Sequence, residues 1–434
     1  MNVEEIKKYC EEILPYAIEQ RRYFHCNPEP TSMEFNTIKH ICSELDKMGI
    51  EYAAIPDGGV LAKLESRNTI RDEKEPHVLI RADCDALTME ENSENGNQQR
   101  QFISQNKGVA HMCGHDGHMA ILLSAAKILS EIVPDLESGT VYILFERGEE
   151  GGNCIYYVMK YIEKMNIRID TCYALHVEPE IETGKMAITA GPTHAGNVNF
   201  EIELTGQGGH GSRPDLANSP LDCFISIANQ LKDVRLKYIS PMDLLTYNIG
   251  SVQCGQKRNI VPEKLEFKGT ARFYNSAAGR TFKEKLDAII QSNAMLYGCK
   301  ATYNVFTGPS LAVVNDERAA ALASEAVAEL WGEDCLTENE IGLGSESFST
   351  LTAFYPGVMS RLGVKNKEKG AFMPLHNPRF DLDEEGMKFG IGSHVAYVLK
   401  YLETKPDMPF SPSFANADEV LKYTNRPVPK RYDM

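Results

Sequence analysis

The sequence predicts an α/β protein: a domain on a mainly parallel sheet, interrupted by an inserted ferredoxin-like α+β domain. Three observations predict it. Between residues 50 and 190, short apolar runs alternate with helical patterns, the rhythm of parallel strands joined by helices. From about residue 192 the order becomes β-α-β-β-α-β, that of a ferredoxin-like module. After residue 307, helix and strand patterns resume and end in a long apolar helix. The expected boundaries are therefore 1–191 with 307–404 for the domain on the parallel sheet and 192–306 for the insert. A Pro-rich extension, 405–434, follows. A chain of 434 residues is long enough for this two-domain plan.

Each element has a local reason. Residues 4–48 read as helical, broken by "NPEPTSMEF" and resuming to Gly49. Strands are expected at "GGVLAKLE" (58–65), "HVLIRADCDAL" (77–87), "TVYILFERG" (140–148) and "TCYALHVE" (171–178). Helical patterns at 117–133 and 152–165 lie between them, and "ENSENGNQQRQ" (91–101) is a polar loop. In the insert, "AGNVNFEIELTGQ" alternates as a half-buried strand. Ser219-Pro220 opens a helix over 219–236, with a cap residue followed by proline. Strands at 243–253 and 260–274 are joined by the turn residues "CGQKRN", and a helix at 277–297 leads to a strand at "KATYNVF" (300–306). Beyond it, 315–332 is helical, 358–364 is a strand, and "PLHNPRFDLDEEGMKFGIGSHVAYVLKYL" gives a loop and a long helix. The last 30 residues carry five prolines and little periodicity, so a surface-packed or partly disordered extension is expected.

Composition excludes several classes. A net charge of −16 argues against nucleic acid or an anionic membrane as partner, since both favour a basic face. No apolar stretch reaches ~18 residues, so no bilayer-spanning segment is expected. The N-terminus is a charged amphipathic pattern and not a secretion signal. Eleven scattered cysteines, an odd number, read as reduced thiols. A cytoplasmic protein is expected.

In a sheet of this kind ligands gather at the carboxyl ends of the strands. The unusual polar residues fall there: Asp83 and Asp85, Glu149 and Glu150, and His176. The segment "HMCGHDGHMA" (111–120) holds three of the chain's 11 histidines just ahead of an apolar run. Cys113 and His115 offer a thiolate and an imidazole on one short loop, a pair that suits a metal. A capping loop with incidental histidines and a Cys–His catalytic dyad are the alternatives. The dyad would need facing side chains and a separate oxyanion hole. The adjacent carboxylates of "FERGEEGGN" can divide roles, one binding metal and one acting as general base, or can simply complement a helix N-terminus. His176 in "ALHVE" and His376 in "PLHNP" taken singly are better explained as structural histidines. Together, Cys113, His115, Glu150, His176 and His376 make five ligands with Glu149 spare. That count suits two transition metals sharing a water better than one tetrahedral zinc.

These residues resemble the amidohydrolase branch of the M-twenty metallopeptidases, the group of bacterial aminoacylases, hippurate hydrolases and indole-acetyl-amino-acid hydrolases. The resemblance runs from "RRYFHCNPEP" (21–30) to about residue 402. Its landmarks appear in order: "RADCDAL", "GVAHMCGHDGH", "EEGG", "ALHVEPEIETGK", "GQGGHGSRPDLANSP", "NIVPEKLEFKGTARF", "GSESFS" and "PLHNPRFDLDEEGM". It implies a centre of two divalent transition ions (Mn, Zn, Co or Ni) on Cys113, His115, Glu150, His176 and His376. Glu149 becomes the general base, and Asp83 a carboxylate that orients a ligand. His210 matches a histidine that polarises the scissile carbonyl, while Asn259 and Arg272 match contacts to the substrate carboxylate. The implied activity is hydrolysis of N-acyl amino acids or similar conjugates, with a homodimer formed through an inserted domain that also acts as a lid. A metallo-dipeptidase or carboxypeptidase, or a non-catalytic relative, are the alternatives. Departures from the family pattern are Arg147-Gly148 in place of Pro-Ala, Thr88 in place of Pro, Ser347 in place of Asp, and the run "GHGSRPD". None is a ligand position; they bear on which acyl group and amino acid are accepted.

Overall fold

Helix α1 (Val3–Cys26) starts on a capping box: the Asn2 side chain accepts from the Glu5 N–H and the Glu5 carboxylate accepts from the Asn2 N–H. Two donors that a helix start leaves open are thereby satisfied. The computed structural model describes residues 2–68, 75–151, 153–338 and 342–424. Two bodies form, one of Met1–Thr193, Val314–Glu340 and Thr350–Ala417, the other of His194–Val313, Ile341–Ser349 and Asp418–Met434.

The first body continues with α2 (Phe35–Met48) and the hairpin strands β1 (Glu51–Ile55) and β2 (Gly59–Glu65). Then come β3 (His77–Asp83), α3 (His115–Ile132), β4 (Thr140–Glu146), α4 (Ile155–Lys164), β5 (Thr171–Glu182) and β6 (Met186–Ala187). The second body holds β7 (Gly196–Thr205), β8 (Gly209–His210), α5 (Pro220–Lys237), β9 (Leu245–Cys254), β10 (Ile260–Val261), β11 (Lys264–Phe273), α6 (Ser276–Leu296) and β12 (Lys300–Phe306). The chain then returns with α7 (Glu317–Trp331), β13 (Leu336–Thr337), α8 (Ser349–Phe354), β14 (Gly357–Lys365) and α9 (Met387–Thr404), and α10 (Ala417–Thr424) follows.

The large sheet runs β1-β2-β4-β3-β5-β14-β6-β13. Its four central strands, β4, β3, β5 and β14, are parallel as expected. The margins differ: β1 and β2 are antiparallel, and so are β2 with β4 and β6 with β14. The turn at 56–58 is too short for the crossover that a parallel β1–β2 pair would need. Helix α3 packs on β3 and β5 with α1 and α9 beside it. The segment His115–Asp135, α3 with the turn that follows it, is by length and composition apolar enough to cross a membrane, contrary to the expectation from apolar stretches. The window is 78% buried inside the protein, so its apolarity serves the core.

In the second body the sheet order is β9-β11-β7-β12, wholly antiparallel, with α5 and α6 packed on it. This is the strand order of the ferredoxin-like module. The alternation in β7 is complete: Val198, Phe200, Ile202 and Leu204 are buried, and their neighbours are half-exposed. Two chain pieces read as lying elsewhere belong to this body. Ser345 accepts from the Asn197 amide at 2.7 Å and from Arg272 at 2.8 Å. At the other end, Tyr423 donates to the Ser276 carbonyl at 2.7 Å, and Arg280 stacks 4.5 Å above its ring. The extension thus contains a helix, α10, while its residues 425–434 lie outside the described residues.

Candidate metal centre

Four segments at the carboxyl ends of the central strands build the site. Asp83 ends β3 and Asp85 follows it, Glu149 and Glu150 follow β4, His176 lies in β5, and Cys113 and His115 enter α3. The glycine between Cys113 and His115 is required. Gly114 has φ +87°, and a Cβ there would meet Val177 Cγ2 at 2.3 Å. A fifth segment, the loop after β14, brings His376 in a left-handed conformation, φ +61°, unusual for a residue with a side chain. Its N–H donates to the Met112 carbonyl at 2.7 Å, which pins it beside the Cys113 loop.

The side chains form interlocking donor groups. Cys113, His115 and His176 bring Sγ and two imidazole nitrogens within 4.8 Å of one another, and Cys113, Glu150 and His376 bring Sγ, a carboxylate oxygen and an imidazole nitrogen equally close. Cys113 Sγ is shared, 3.6 Å from His176 Nε2 and 3.3 Å from His376 Nε2. Glu149 joins His115 and Glu150 in a third group of the same size. The ring orientations follow from acceptor-only partners. His115 Nδ1 faces the Asp85 carbonyl at 2.9 Å and His176 Nδ1 faces the Val177 carbonyl at 2.7 Å, so each Nδ1 carries the hydrogen. Each Nε2 then keeps a lone pair for the site. Among the described residues, His115 Nε2 and Glu150 Oε1 are buried and meet no hydrogen-bond partner. Glu150 Oε1 does lie 3.3 Å from His376 Nε2, close enough for ion pairing but without hydrogen-bond alignment. Unpartnered buried donors of this kind, with a thiol, imidazoles and a carboxylate converging, fit a transition metal.

Electrostatics reinforce the fit. Burial pushes the Cys113 thiol well up, so in the bare protein it stays protonated, and a cation among the donors would reverse that. Burial opposes a charged His115, but the Asp83 carboxylate outweighs it and pushes the imidazole well up, so a bound cation would compete with a proton for Nε2. In another apparent donor group, Asp83 with His115 and His118, Asp83 and His118 are already engaged. The Val177 N–H donates to His118 Nε2 at 2.9 Å, so His118 Nδ1 donates to Asp83 at 2.6 Å. Asp83 also accepts from Arg81, itself paired with Glu146, and all three side chains are fully buried. Asp83 therefore steadies His118 and, through Val177, the strand bearing His176.

Two carboxylates were assigned no role from sequence, Asp85, noted only for its place at a strand end, and Glu34, not noted at all. Asp85 accepts the backbone N–H groups of Glu149 at 3.1 Å and Glu150 at 2.9 Å, along with the Thr31 hydroxyl. Its signal was available: a second acid two residues after Asp83, at the same strand end. Glu34 accepts from the Gly148 N–H and from Arg147 Nε, both at 2.8 Å. Arg147 is thus the buried partner of Glu34. No sequence signal marks Glu34.

The remaining predicted residues belong to the second body. His210 and Asn259 come together on the β8–β10 ribbon, where the Gly211 N–H donates to the Asn259 carbonyl at 2.9 Å. The Ser212 N–H donates to His210 Nδ1 at 3.2 Å and its hydroxyl lies at 2.8 Å, so His210 carries its hydrogen on Nε2. Arg272 lies on β11 and holds Ser345, and half-burial lowers its pKa.

A parallel sheet with interlocked Cys/His/Glu triads and a further carboxylate at its strand ends defines a dinuclear metal-dependent hydrolase. The protein-family model described as peptidase family M20/M25/M40 matches residues 79–400, and the chain belongs to that family. It is 32% identical over 402 residues to thermostable carboxypeptidase 2 of Saccharolobus solfataricus, covering 92% of this chain and 98% of that one. To IAA-amino acid hydrolase ILR1-like 2 of Arabidopsis thaliana it is 29% identical over 399 residues, covering 91% and 87%. Among solved structures, a dinuclear metal binding peptidase of the M20 family from Bacillus subtilis superposes with a TM-score of 0.71 at 27% identity, covering 91% of this chain and 99% of that one.

Proposed function

We propose that the protein hydrolyses the amide bond of N-acyl amino acids or similar small conjugates, releasing a carboxylic acid and a free amino acid. One observation carries the reading: two donor triads share Cys113, and the Glu149 carboxylate lies within reach of both His115 and Glu150 while belonging to neither triad. Cys113, His115, Glu150, His176 and His376 would hold two divalent ions, and Mn, Zn, Co and Ni all suit such a mixed donor set. When bound, the ions supply Lewis acidity to a water and to the substrate carbonyl. Glu149 takes the proton from the attacking water and hands it to the amide nitrogen as the C–N bond breaks. Asp85 sets the position of Glu149 through its backbone N–H. His210, with hydrogen on Nε2, is the donor for the developing oxyanion, and Arg272 with Asn259 takes the carboxylate of the amino-acid half.

The Arabidopsis relative, named as an IAA-amino acid hydrolase, favours this substrate class. The Saccharolobus relative, named as a carboxypeptidase, favours small peptides as a second reading. We place the protein in the cytoplasm as a homodimer joined through the second body. There Ile225, Leu236, Met295 and Leu296 are exposed apolar side chains on α5 and α6, and β9 is a sheet edge. The deciding experiment strips the metal exhaustively, restores Mn, Co or Zn, and assays N-acetyl amino acids, N-benzoyl amino acids and dipeptides. Activity should vanish and return, highest on the acyl amino acids. Full turnover without metal sinks the mechanism, and a tenfold preference for dipeptides sinks the substrate class.

A further inference from the structure

We propose that Arg21 is a positioning residue of the metal centre, holding the segment that carries Cys113 and His115 in register with the loop that carries His376. The inference rests on the metal-ligand reading above. Arg21 projects from α1, and its side chain is 2% exposed. Its three donor positions go to three carboxylates: Nε to Asp116 at 3.1 Å, Nη2 to Asp381 at 2.7 Å, and Nη1 to Glu384 at 3.1 Å. Asp116 directly follows His115 in the first turn of α3, whereas Asp381 and Glu384 lie on the chain just after His376. One rigid guanidinium therefore spans the two segments that must meet at Cys113. A lysine ammonium, a point charge on a flexible stem, cannot hold three such directions at once.

The surroundings keep this bridge rigid. Asp381 also accepts from the Asn95 amide at 3.1 Å and lies 3.2 Å from Arg100 Nη1. Arg100 pairs with Glu91 at 3.1 Å and donates to the Phe380 carbonyl. His25 closes the circuit, with its two ring nitrogens 2.8 Å from Asp116 and 2.8 Å from Glu91. Four carboxylates (Asp116, Asp381, Glu384, Glu91) thus face three guanidiniums (Arg21, Arg22, Arg100) and one imidazole. The device has a purpose that packing alone does not explain. His376 sits at φ +61°, a conformation that persists only where the flanking chain over-determines it. On one side its own N–H is tied to Met112, and on the other Asp381 is tied to Arg21.

The test measures metal binding without turnover. Metal-free wild type, Arg21→Gln, Arg21→Lys and Asp381→Asn are dialysed to equilibrium against graded Mn²⁺, and bound metal is counted by mass spectrometry. Wild type is expected to take up two equivalents. In Arg21→Gln the more weakly held ion should lose affinity at least tenfold. Arg21→Lys should fall between Arg21→Gln and wild type, and Asp381→Asn should share the direction at about threefold or more. A guanidinium that merely stabilised the fold would lower the melting temperature of the metal-free protein and leave both affinities of the folded variant unchanged. That result in Arg21→Gln overturns the proposal. Should Arg21→Gln fail to fold, Asp381→Asn decides, and wild-type affinities there overturn it equally. If wild type binds a single ion, the dinuclear reading fails, and the proposal is judged on that ion by the same comparison.

Discussion

Replacing Asp85 by Asn keeps its shape and tests whether this carboxylate places the Glu149–Glu150 turn. In the native protein one oxygen accepts the Glu149 N–H at 3.1 Å, and the other accepts the Glu150 N–H at 2.9 Å and the Thr31 hydroxyl at 2.8 Å. Asparagine has one acceptor oxygen, which will turn toward the two donors. Its NH₂ then faces the Glu149 N–H, so that a charge-assisted bond becomes a donor–donor contact. Losing one bond to a charged acceptor and leaving a part-buried N–H unmatched costs about 2–4 kcal/mol. If that cost appears as displacement of Glu149 in the transition state, kcat/KM falls by ~30- to ~10³-fold, at about 1.4 kcal/mol per decade. The assay is steady-state kinetics on metal-reconstituted protein, with bound metal counted and the melting temperature recorded beside it. The reasoning is refuted by wild-type kcat/KM, or by a rate loss that disappears once the unfolded fraction at the assay temperature is subtracted.

Glu149→Gln should retain metal and lose ~10² to 10⁴ in rate, the usual range for a general base, while Glu150→Ala should lose metal as well; equal metal loss in both overturns their division of roles. His25, fully buried, is raised from 6.5 to about 8, its hydrogen bonds to Asp116 and Glu91 outweighing burial. A raised folded pKa means the contribution is complete below pH 6.5 and is lost as pH rises through about 8. The difference is on the order of 2 kcal/mol, at 1.36 kcal/mol per unit. Denaturant midpoints of wild type should therefore fall over that window, and those of His25→Gln should not. Arg272→Ala should weaken kcat/KM for N-acyl amino acids by about 1.5–3 kcal/mol and spare the matching carboxamides. An equal loss on acid and carboxamide would make Arg272 structural. Light scattering on the full chain should give a dimer mass; a monomer there ends the dimer assignment.

Local signals in the chain determined much of this protein. Periodicity alone located β2, β3, β4, β5, β14 and the helices around them within a few residues, because their burial patterns are written in the order of apolar side chains. The β-α-β-β-α-β order specified the second body's sheet, since few strand orders satisfy its short connections. The clustered residues of "HMCGHDGH" and "EEGG" marked the metal centre, because a metal needs donor types that a core does not. Only the folded chain decided what depends on contacts between segments remote in sequence. Asp85 and Glu34 hold the turn at residues 148–150 through its backbone N–H groups, which carry no sequence signature. His118, as promising by composition as His115, is excluded as a ligand because both its nitrogens are already engaged. The antiparallel margins, the recruitment of Ser345 to Arg272 and the single guanidinium joining Asp116 to Asp381 also belong to tertiary structure. Hydrogen-bond partners are chosen by proximity in space, and proximity across hundreds of residues is a property of the packed chain, not of any window along it.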